Sequence, residues 1–302
     1  MNRREFVHAG IVAGAAAMQA GSGFAQQSNR AKFRMKYAPH FGMFADSAGN
    51  DPIDQLKFAA DQGFTAWEDN GMMRKAVPLQ ESIARTMQDL DMTMGVFVSS
   101  GGFSGNEFAT STSKDLHDRL RTQMRKAVEV AKRVNARWST FVPGQVSQKI
   151  EHDYQMANVI ENLRVCAEVC EPAGLVLVLE PLNWWANHPG LFLTKIPQAY
   201  LICKGVNSPS VKILDDLYHQ QVSEGNLIPN MDMAWDEIAY FQMGDNPGRK
   251  EPTTGEINYR NIFKHICEKG YTDVLGMEHG VSGRGKQGEQ ALIEAYRYCD
   301  SF

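Results

Sequence analysis

The sequence lacks several features that mark common classes of protein. Its 302 residues carry a formal net charge of −4 and contain no long run of Lys and Arg. Phosphate binding needs clustered positive charge, so we do not expect a nucleic acid as a partner. Beyond the N-terminus, no apolar run reaches the ~20 residues of a membrane-spanning helix. The remaining composition, 43% hydrophobic and 22% charged, is that of a globular protein.

Cysteine pairs of the CxxC type are also missing, and the number of cysteines is odd. Cys166 and Cys170 are spaced i,i+4 in a segment with a helical pattern, a spacing that suits packing as well as pairing. We predict that the cysteines are mostly buried thiols. The five are Cys166, Cys170, Cys203, Cys267 and Cys299.

The N-terminus differs in composition from the rest of the chain. Arg3 and Arg4 precede an Ala/Gly-rich apolar run, and residues 23–25 read Gly-Phe-Ala. This arrangement resembles a Tat-type signal peptide cleaved after Ala25. The alternative is an N-terminal hydrophobic helix or membrane anchor. We predict that residues 1–28 are signal and short linker, that the protein folds in the cytoplasm, and that it is exported to the periplasm without stable membrane insertion.

Residues 29–302 are predicted to form a single α/β domain. Eight short apolar runs alternate with amphipathic segments of helical period over about 270 residues. That rhythm predicts a (β/α)8 TIM barrel, whose typical length is ~250 residues. A doubly wound open sheet is the alternative. No glycine-rich phosphate-binding motif follows the first predicted strand, which disfavours the nucleotide-binding version of that alternative.

Polar side chains end four successive predicted strands. The fifth strand ends in Glu180, the sixth in Asp215 and Asp216, the seventh in Gln242 and the eighth in Glu278. Strand ends of a barrel converge on one mouth. Burial of a carboxylate there is costly unless it is paired or bound to a metal. Each residue alone could face solvent, but the four together predict an all-oxygen site for a divalent cation such as Mg or Mn.

Several motifs resemble those of the hydroxypyruvate isomerase family, within the xylose-isomerase-like barrels. They are LEPLN, DLYHQQVSEGNL, FQMGDNPGRKEPTTGEINY and GMEHG, and the match is densest between residues 175 and 280. The resemblance implies one divalent metal ion, Mg or Mn with Co or Zn as other candidates. It implies that Glu180, Asp216, Gln242 and Glu278 hold the ion, and that Glu180 and Glu278 are also the catalytic acid/base pair.

The resemblance also implies residues that bind substrate. His219, three residues after Asp216, is expected to contact a substrate oxygen, and His188 is a second candidate at the same mouth. His40 and Glu68 end the first two predicted strands and face the same side, but they rank below these histidines.

Arg249 follows the turn of the FQMGDNPGR segment. A guanidinium group matches a carboxylate with two hydrogen bonds, as a keto-acid substrate would require. The alternative for Arg249 is a structural ion pair within the loop, to Glu251 or Glu256.

These features predict a metal-dependent isomerase. It would interconvert an aldose and a ketose, or hydroxypyruvate and tartronate semialdehyde, through an enediolate. Export and the Trp184–Trp185 pair favour, as an alternative, isomerisation or epimerisation of a larger keto-sugar or sugar derivative. A metal-dependent phosphodiesterase and a non-catalytic sugar-binding barrel are the remaining alternatives. The expected partners are a small carbohydrate or keto-acid and, by analogy with the family, further copies of the chain as a homo-oligomer.

Overall fold

The computed structural model describes residues 31–99 and 105–302. The predicted signal peptide, residues 1–28, lies outside these ranges. Within them the chain forms one α/β domain.

In the described ranges, nine short strand segments form the centre of the domain, and all pairings between them are parallel. They are β1 (Lys36–Ala38), β2 (Ala66–Trp67), β3 (Thr93–Met94), β4 (Phe97–Val98), β5 (Trp138–Phe141), β6 (Val176–Leu179), β7 (Val211–Asp216), β8 (Ile238–Gln242) and β9 (Val274–Gly276).

The strand segments close into a ring. Seven of them form one sheet in the order β1-β9-β8-β7-β6-β5-β4, and β2 pairs with β3. A parallel bridge between His40 and Glu68 joins the chain after β1 to the chain after β2. The second connection is between β3, which pairs with β2, and β4, which ends the seven-stranded sheet. These two segments belong to the single strand that the sequence predicts as the third. The predicted eight-stranded barrel is therefore confirmed.

Helices surround the ring and cover its outer face. The α-helices are α1 (Ala45–Ala48), α2 (Pro52–Asp61), α3 (Val77–Asp89), α4 (Glu107–Thr110), α5 (Lys114–Val134), α6 (His152–Cys170), α7 (Ile196–Val206), α8 (Leu217–Ser223), α9 (Leu227–Ala234), α10 (Tyr259–Glu268) and α11 (Gly285–Cys299). The part of the chain that the structure describes also has three 3₁₀ turns, at Met72–Arg74, Glu171–Ala173 and Trp235–Glu237. Of the helices in the described ranges, none combines the length and apolar character of a membrane span.

The helix ends follow local sequence signals. Asp51 caps α2 by accepting from the Ile53 amide, and Ser113 caps α5 by accepting from the Leu116 amide. Asn135 ends α5 in the left-handed conformation. Such signals make the longer helices readable from sequence, whereas α1, α4, α8 and α9 are short and were not predicted.

The cysteines lie mainly in the packed layer around the barrel. All five are free thiols, and four of them are buried, as predicted. Only Cys267 is partly exposed. Burial raises the pKa of Cys170 and of Cys299 to about 12, so both thiols stay protonated near neutral pH.

Candidate active site

The predicted metal ligands lie at one end of the barrel. Asp216 and Gln242 are the last residues of β7 and β8 and face each other in register, and Gln242 in turn faces Gly276 of β9. Residues paired in this way project to the same face of a sheet. Glu180 comes directly after β6, and Glu278 lies two residues after β9. The strand ends therefore converge as the sequence predicts.

Asp216 has two roles in the structure because its two carboxylate oxygens point in different directions. Oδ1 accepts from the backbone amides of Tyr218 at 2.8 Å and His219 at 3.4 Å, which caps α8. Oδ2 lies 3.6 Å from Nε2 of His219. The cap holds the carboxylate, and with it His219, in a fixed place at the mouth.

His219 is fully buried and its ring orientation is set by Asn183. The backbone amide and the side-chain Nδ2 of Asn183 lie 3.3 Å and 2.7 Å from Nδ1 of His219. Asn183 Oδ1 accepts from the amides of Ala186 and Asn187, which fixes its own orientation. Two donors face Nδ1, so Nδ1 is the acceptor and the ring proton of the neutral imidazole is on Nε2.

The Nε2–H of His219 points toward the acidic residues. Nε2 lies 3.9 Å from Oε1 of Glu180 and has no hydrogen-bond partner among the described residues. Burial lowers the pKa of His219 to about 4, so the ring is neutral near pH 7. A buried N–H without a partner is a hydrogen-bond donor suited to a substrate oxygen.

Gln242 is held from the side of β2 by Glu68. Its Nε2 lies 3.3 Å from each carboxylate oxygen of Glu68, and Tyr240 donates to Glu68 Oε2 at 3.0 Å. All three side chains are buried. Gln242 Oε1 has no hydrogen-bond partner among the described residues. The amide oxygen of Gln242 is thus available to a ligand at the mouth.

Glu278 lies between an amide and a guanidinium group. Its Oε1 accepts from Asn70 Nδ2 at 3.1 Å, and its Oε2 lies 3.2 Å from Nη2 of Arg249. The same Nη2 atom lies 3.2 Å from Oδ2 of Asp216. The guanidinium carbon of Arg249 is 5.2 Å from the centre of the Tyr218 ring. Arg249 therefore provides positive charge between two of the predicted metal ligands.

The alternative ion pairs considered for Arg249 are not formed within the loop. Glu251 accepts from the amide of Ser282 at 2.9 Å and from its hydroxyl group. Glu256 accepts from Asn246 at 2.6 Å. Arg249 points into the mouth of the barrel, toward the acidic residues.

The turn that carries Arg249 is organised by Asp245, which is fully buried. Its carboxylate accepts from the amides of Gly255 at 2.8 Å, Asn246 at 2.9 Å and Ile257 at 3.1 Å. Arg249 itself has a positive φ of 50°. The polar residues of the FQMGDNPGR segment therefore fold the chain back and direct one guanidinium group into the barrel.

The remaining candidates lie around the same mouth. The ring centres of His188 and His219 are 5.4 Å apart. A cavity of about 220 Å³ is lined in part by His40, Glu68, Asn70 and Glu278. Trp184 is half-buried directly after Asn183, whereas Trp185 is 72% exposed. Glu68 therefore lies beside the predicted metal ligands, although the sequence analysis ranked it below His219 and His188 as a site residue.

The acidic residues at the mouth destabilise one another's charged forms. Burial, together with Glu278 and Asp216, raises the pKa of Glu180. Burial raises the pKa of Glu278 to about 7, against the opposing effect of Arg249. Burial and Glu278 also raise the pKa of Glu68. Such a cluster is stabilised by any group that adds positive charge.

The residues present fit a divalent cation. Glu180, Asp216 and His219 bring ligand-type atoms within 4.8 Å of one another. Gln242 Oε1 is a buried oxygen without a partner. His219 fits the role of ligand poorly, because Nε2 carries the proton while two donors face Nδ1. The oxygen atoms of Glu180, Asp216, Gln242 and Glu278 are the better donor set for a hard cation.

Three residues near the site have contacts that the sequence did not suggest. Asn183 orients His219, Asn70 donates to Glu278, and Tyr240 donates to Glu68. Asn183 ends the LEPLN motif and Asn70 lies two residues after Glu68, so their positions at strand ends were the available signal. No sequence signal marked Tyr240 as a site residue, because an aromatic residue within an apolar strand is ordinarily a core residue.

The closed barrel with an acidic mouth at its strand ends is that of a (β/α)8-barrel enzyme. The chain belongs to the family described as xylose isomerase-like TIM barrel, whose model matches residues 56–301.

Sequence relatives narrow the class further. The chain is 30% identical over 179 residues to hydroxypyruvate isomerase of Escherichia coli, a match that covers 59% of this chain and 69% of the relative. It is 27% identical over 237 residues to 2-oxo-tetronate isomerase of Pectobacterium atrosepticum, covering 78% and 89%. These relatives identify the protein as an isomerase.

A solved structure with the same fold is 3-keto-D-glucoside 4-epimerase of E. coli. It superposes with a TM-score of 0.71 at 19% identity, covering 89% of this chain and 100% of that one.

Proposed function

We propose that the protein is a metal-dependent isomerase that moves a carbonyl group between adjacent carbons of a small hydroxy-keto acid through an enediolate. The observation that carries the proposal is the convergence of two glutamates, the buried Glu180 and the half-buried Glu278, on a mouth that also contains Arg249. Two carboxylic groups supply a proton acceptor and a proton donor, and a guanidinium group matches a substrate carboxylate.

A divalent cation, Mg or Mn by its ligand chemistry, would be held by oxygen atoms of Glu180, Asp216, Gln242 and Glu278. When bound, it would act as a Lewis acid toward the carbonyl and hydroxyl oxygens of the substrate. A cation would share the Asp216 and Glu278 carboxylates with Arg249, whose guanidinium group lies 3.2 Å from both. The cation would balance part of the negative charge of these two carboxylates, so the guanidinium group could also bind the carboxylate of the substrate.

The glutamates would move the proton. One of them accepts the proton from the carbon that bears the hydroxyl group, and the other donates a proton to the neighbouring carbon. The hydroxyl proton moves to the former carbonyl oxygen, so that the two groups exchange places. Asn70 keeps Glu278 in position through its 3.1 Å hydrogen bond to Oε1.

His219 would bind a substrate oxygen. Its Nε2–H faces the mouth, and Asn183 prevents the ring from presenting an unprotonated Nε2. A fixed donor at this point favours negative charge on the substrate oxygen as the enediolate forms. His188 lies beside His219 and is proposed as a further contact to substrate.

The proposal has two forms, which differ in the size of the substrate: a small oxo acid or a larger keto-sugar. The relatives are named for hydroxypyruvate and 2-oxo-tetronate, which are small oxo acids that would use Arg249. The half-buried Trp184, beside Asn183, favours the second form, in which a larger keto-sugar is isomerised or epimerised and stacks on the indole ring.

The test is a substrate panel on the purified enzyme. Hydroxypyruvate, tartronate semialdehyde, 2-oxo-tetronate, free ketoses and keto-glycosides are assayed after chelation and again with added Mg, Mn or Co. We expect activity on a small oxo acid that chelation removes and metal restores. Turnover of ketoses or keto-glycosides alone would establish the second form, and full activity after complete chelation would refute the metal-dependent mechanism.

A further inference from the structure

Gln242 differs from the other proposed ligands because its amide group carries two chemically different atoms, an oxygen and a nitrogen. Carboxylates present an oxygen in either orientation, whereas an amide presents an oxygen or an NH₂ group. An NH₂ group turned toward a cation would repel it. The amide can therefore serve the site only if its surroundings select one of the two orientations.

Glu68 supplies that selection. Its two oxygens lie 3.3 Å from Nε2 of Gln242, and a carboxylate accepts hydrogen bonds but does not donate them. If Glu68 were protonated, one oxygen would still be an acceptor toward the amide. In both states the NH₂ group is drawn toward Glu68, and Oε1 is directed away from it, without a partner.

The barrel interior is built to hold Glu68 in this place. Tyr240 donates to Glu68 Oε2 at 3.0 Å from one side. On the other side a Cβ atom on Gly276 would lie 2.7 Å from the carboxyl carbon of Glu68 and 2.8 Å from Cγ of Gln242. A Cβ atom on Gly95 would collide with the Tyr240 hydroxyl group. Two glycines thus provide the space for a buried acid, which is otherwise a costly residue in a core.

We infer that Glu68 is a positioning residue that fixes the Gln242 amide with its oxygen toward the cation site. The inference rests on the proposed function for the identity of the ligand, and it deepens that proposal by assigning a residue that touches neither substrate nor metal. Side chains that orient metal ligands typically contribute 10–100-fold to metal affinity or activity.

The test uses two variants of Glu68 and a matched control. Glu68→Ala removes both acceptor oxygens. Glu68→Gln keeps an oxygen for Gln242, and its NH₂ group can donate to the Tyr240 hydroxyl oxygen. Glu237→Ala is the control, because Glu237 is also buried but pairs with Lys212 and Lys204 at the start of β8. Thermal unfolding confirms that each variant is folded.

The first measurement is Mn²⁺ affinity by competition with a chelator. We expect Glu68→Ala to weaken binding about 10–100-fold and Glu68→Gln and Glu237→Ala to stay within about threefold of wild type. The second measurement needs no metal. The side-chain amide protons of Gln242, assigned by ¹⁵N NMR, are expected to exchange slowly in wild type and in Glu68→Gln and rapidly in Glu68→Ala.

The outcomes separate the two proposals. Unchanged Mn²⁺ affinity or unchanged amide exchange in Glu68→Ala would overturn the positioning role. An equal loss of affinity in Glu68→Gln and Glu68→Ala would overturn it too, because charge rather than orientation would then be the cause. If wild type bound no Mn²⁺, the proposed metal dependence would fail, while slow amide exchange lost only in Glu68→Ala would still support the Glu68–Gln242 pair.

Discussion

The side-chain nitrogen of Asn183 lies 2.7 Å from Nδ1 of His219. Together with the backbone amide of Asn183 at 3.3 Å, this donor determines which ring nitrogen of His219 carries the proton at the mouth of the barrel. A donor at Nδ1 leaves the proton on Nε2, whereas an acceptor there would draw the proton to Nδ1. The proposed role of His219 as a donor to substrate, rather than as a metal ligand, thus depends on a neighbouring amide.

We predict that Asn183→Asp inactivates the enzyme through the tautomer of His219. A carboxylate at position 183 accepts from Nδ1–H, and this charge-assisted hydrogen bond outweighs the longer 3.3 Å contact from the backbone amide of the same residue. Nε2 therefore loses its proton and its function as a donor. We expect kcat/KM to fall about 100-fold, in the range of a lost oxyanion-type donor, while the Mn²⁺ content stays at the wild-type level. The ¹⁵N shifts of the His219 ring report the tautomer directly, and an unchanged tautomer with lost activity would contradict this account.

Adjacent residues of β7 are predicted to differ in their effect on metal binding. Asp216 faces Gln242 at the mouth and contacts Arg249, whereas Asp215, its neighbour, is on the opposite face of the strand. We expect Asp216→Asn to lose most of the bound metal and Asp215→Asn to retain it. Asn caps a helix as well as Asp does, so α8 is preserved in the first variant.

Elemental analysis after dialysis against Mn²⁺ measures both variants. Equal occupancy in Asp216→Asn and wild type would remove Asp216 from the metal site.

Glu180 and Glu278 are predicted to carry the proton transfer. Replacement of either by Gln keeps an oxygen at the same place but removes the proton acceptor, which typically costs about 10²–10⁴ in rate. The measurement is incorporation of solvent deuterium at the reacting carbon, with metal content determined in parallel. Wild-type exchange rates in both variants would show that the two glutamates are ligands only.

The Arg249 turn is predicted to depend on Asp245. Asp245→Ala leaves three backbone amides without their acceptor. Each buried donor left unsatisfied costs about 1–3 kcal/mol, and we expect a loss of about 3 kcal/mol in the free energy of unfolding because water reaches part of the loop. A rise in KM should accompany it, since Arg249 is no longer held toward substrate.

Denaturant unfolding and steady-state kinetics test this prediction. Asp236→Ala is the control, because Asp236 is exposed and pairs only at the surface with Lys204. A loss of stability equal to that of the control would mean that Asp245 does not organise the turn.

Export through a twin-arginine signal remains a prediction from the sequence. Replacement of Arg3 and Arg4 by Lys should retain the protein in the cytoplasm, because the signal is read through the arginine pair. Cell fractionation with an antibody to the mature chain provides the measurement. Periplasmic protein at the wild-type level in this variant would refute the Tat assignment.

The sequence alone determined the barrel and the four oxygen-bearing strand ends. Alternation of apolar runs with helical segments is a local pattern, and parallel strands must present their C-terminal ends on one side. The residues at those ends could therefore be named before any contact was known: Glu180, the pair Asp215 and Asp216, Gln242 and Glu278. The resemblance to the isomerase family then selected Asp216 from the pair.

Only the tertiary structure decided how those residues are oriented. The partners of Gln242, His219 and Glu278 are Glu68, Asn183 and Asn70, and two of these come from segments more than 170 residues away in the chain. Hydrogen bonds between such distant residues leave no periodic signal in a single sequence. They arise because the closed ring brings β2 across the barrel interior to β8 and β9, where a buried donor or acceptor must find a partner.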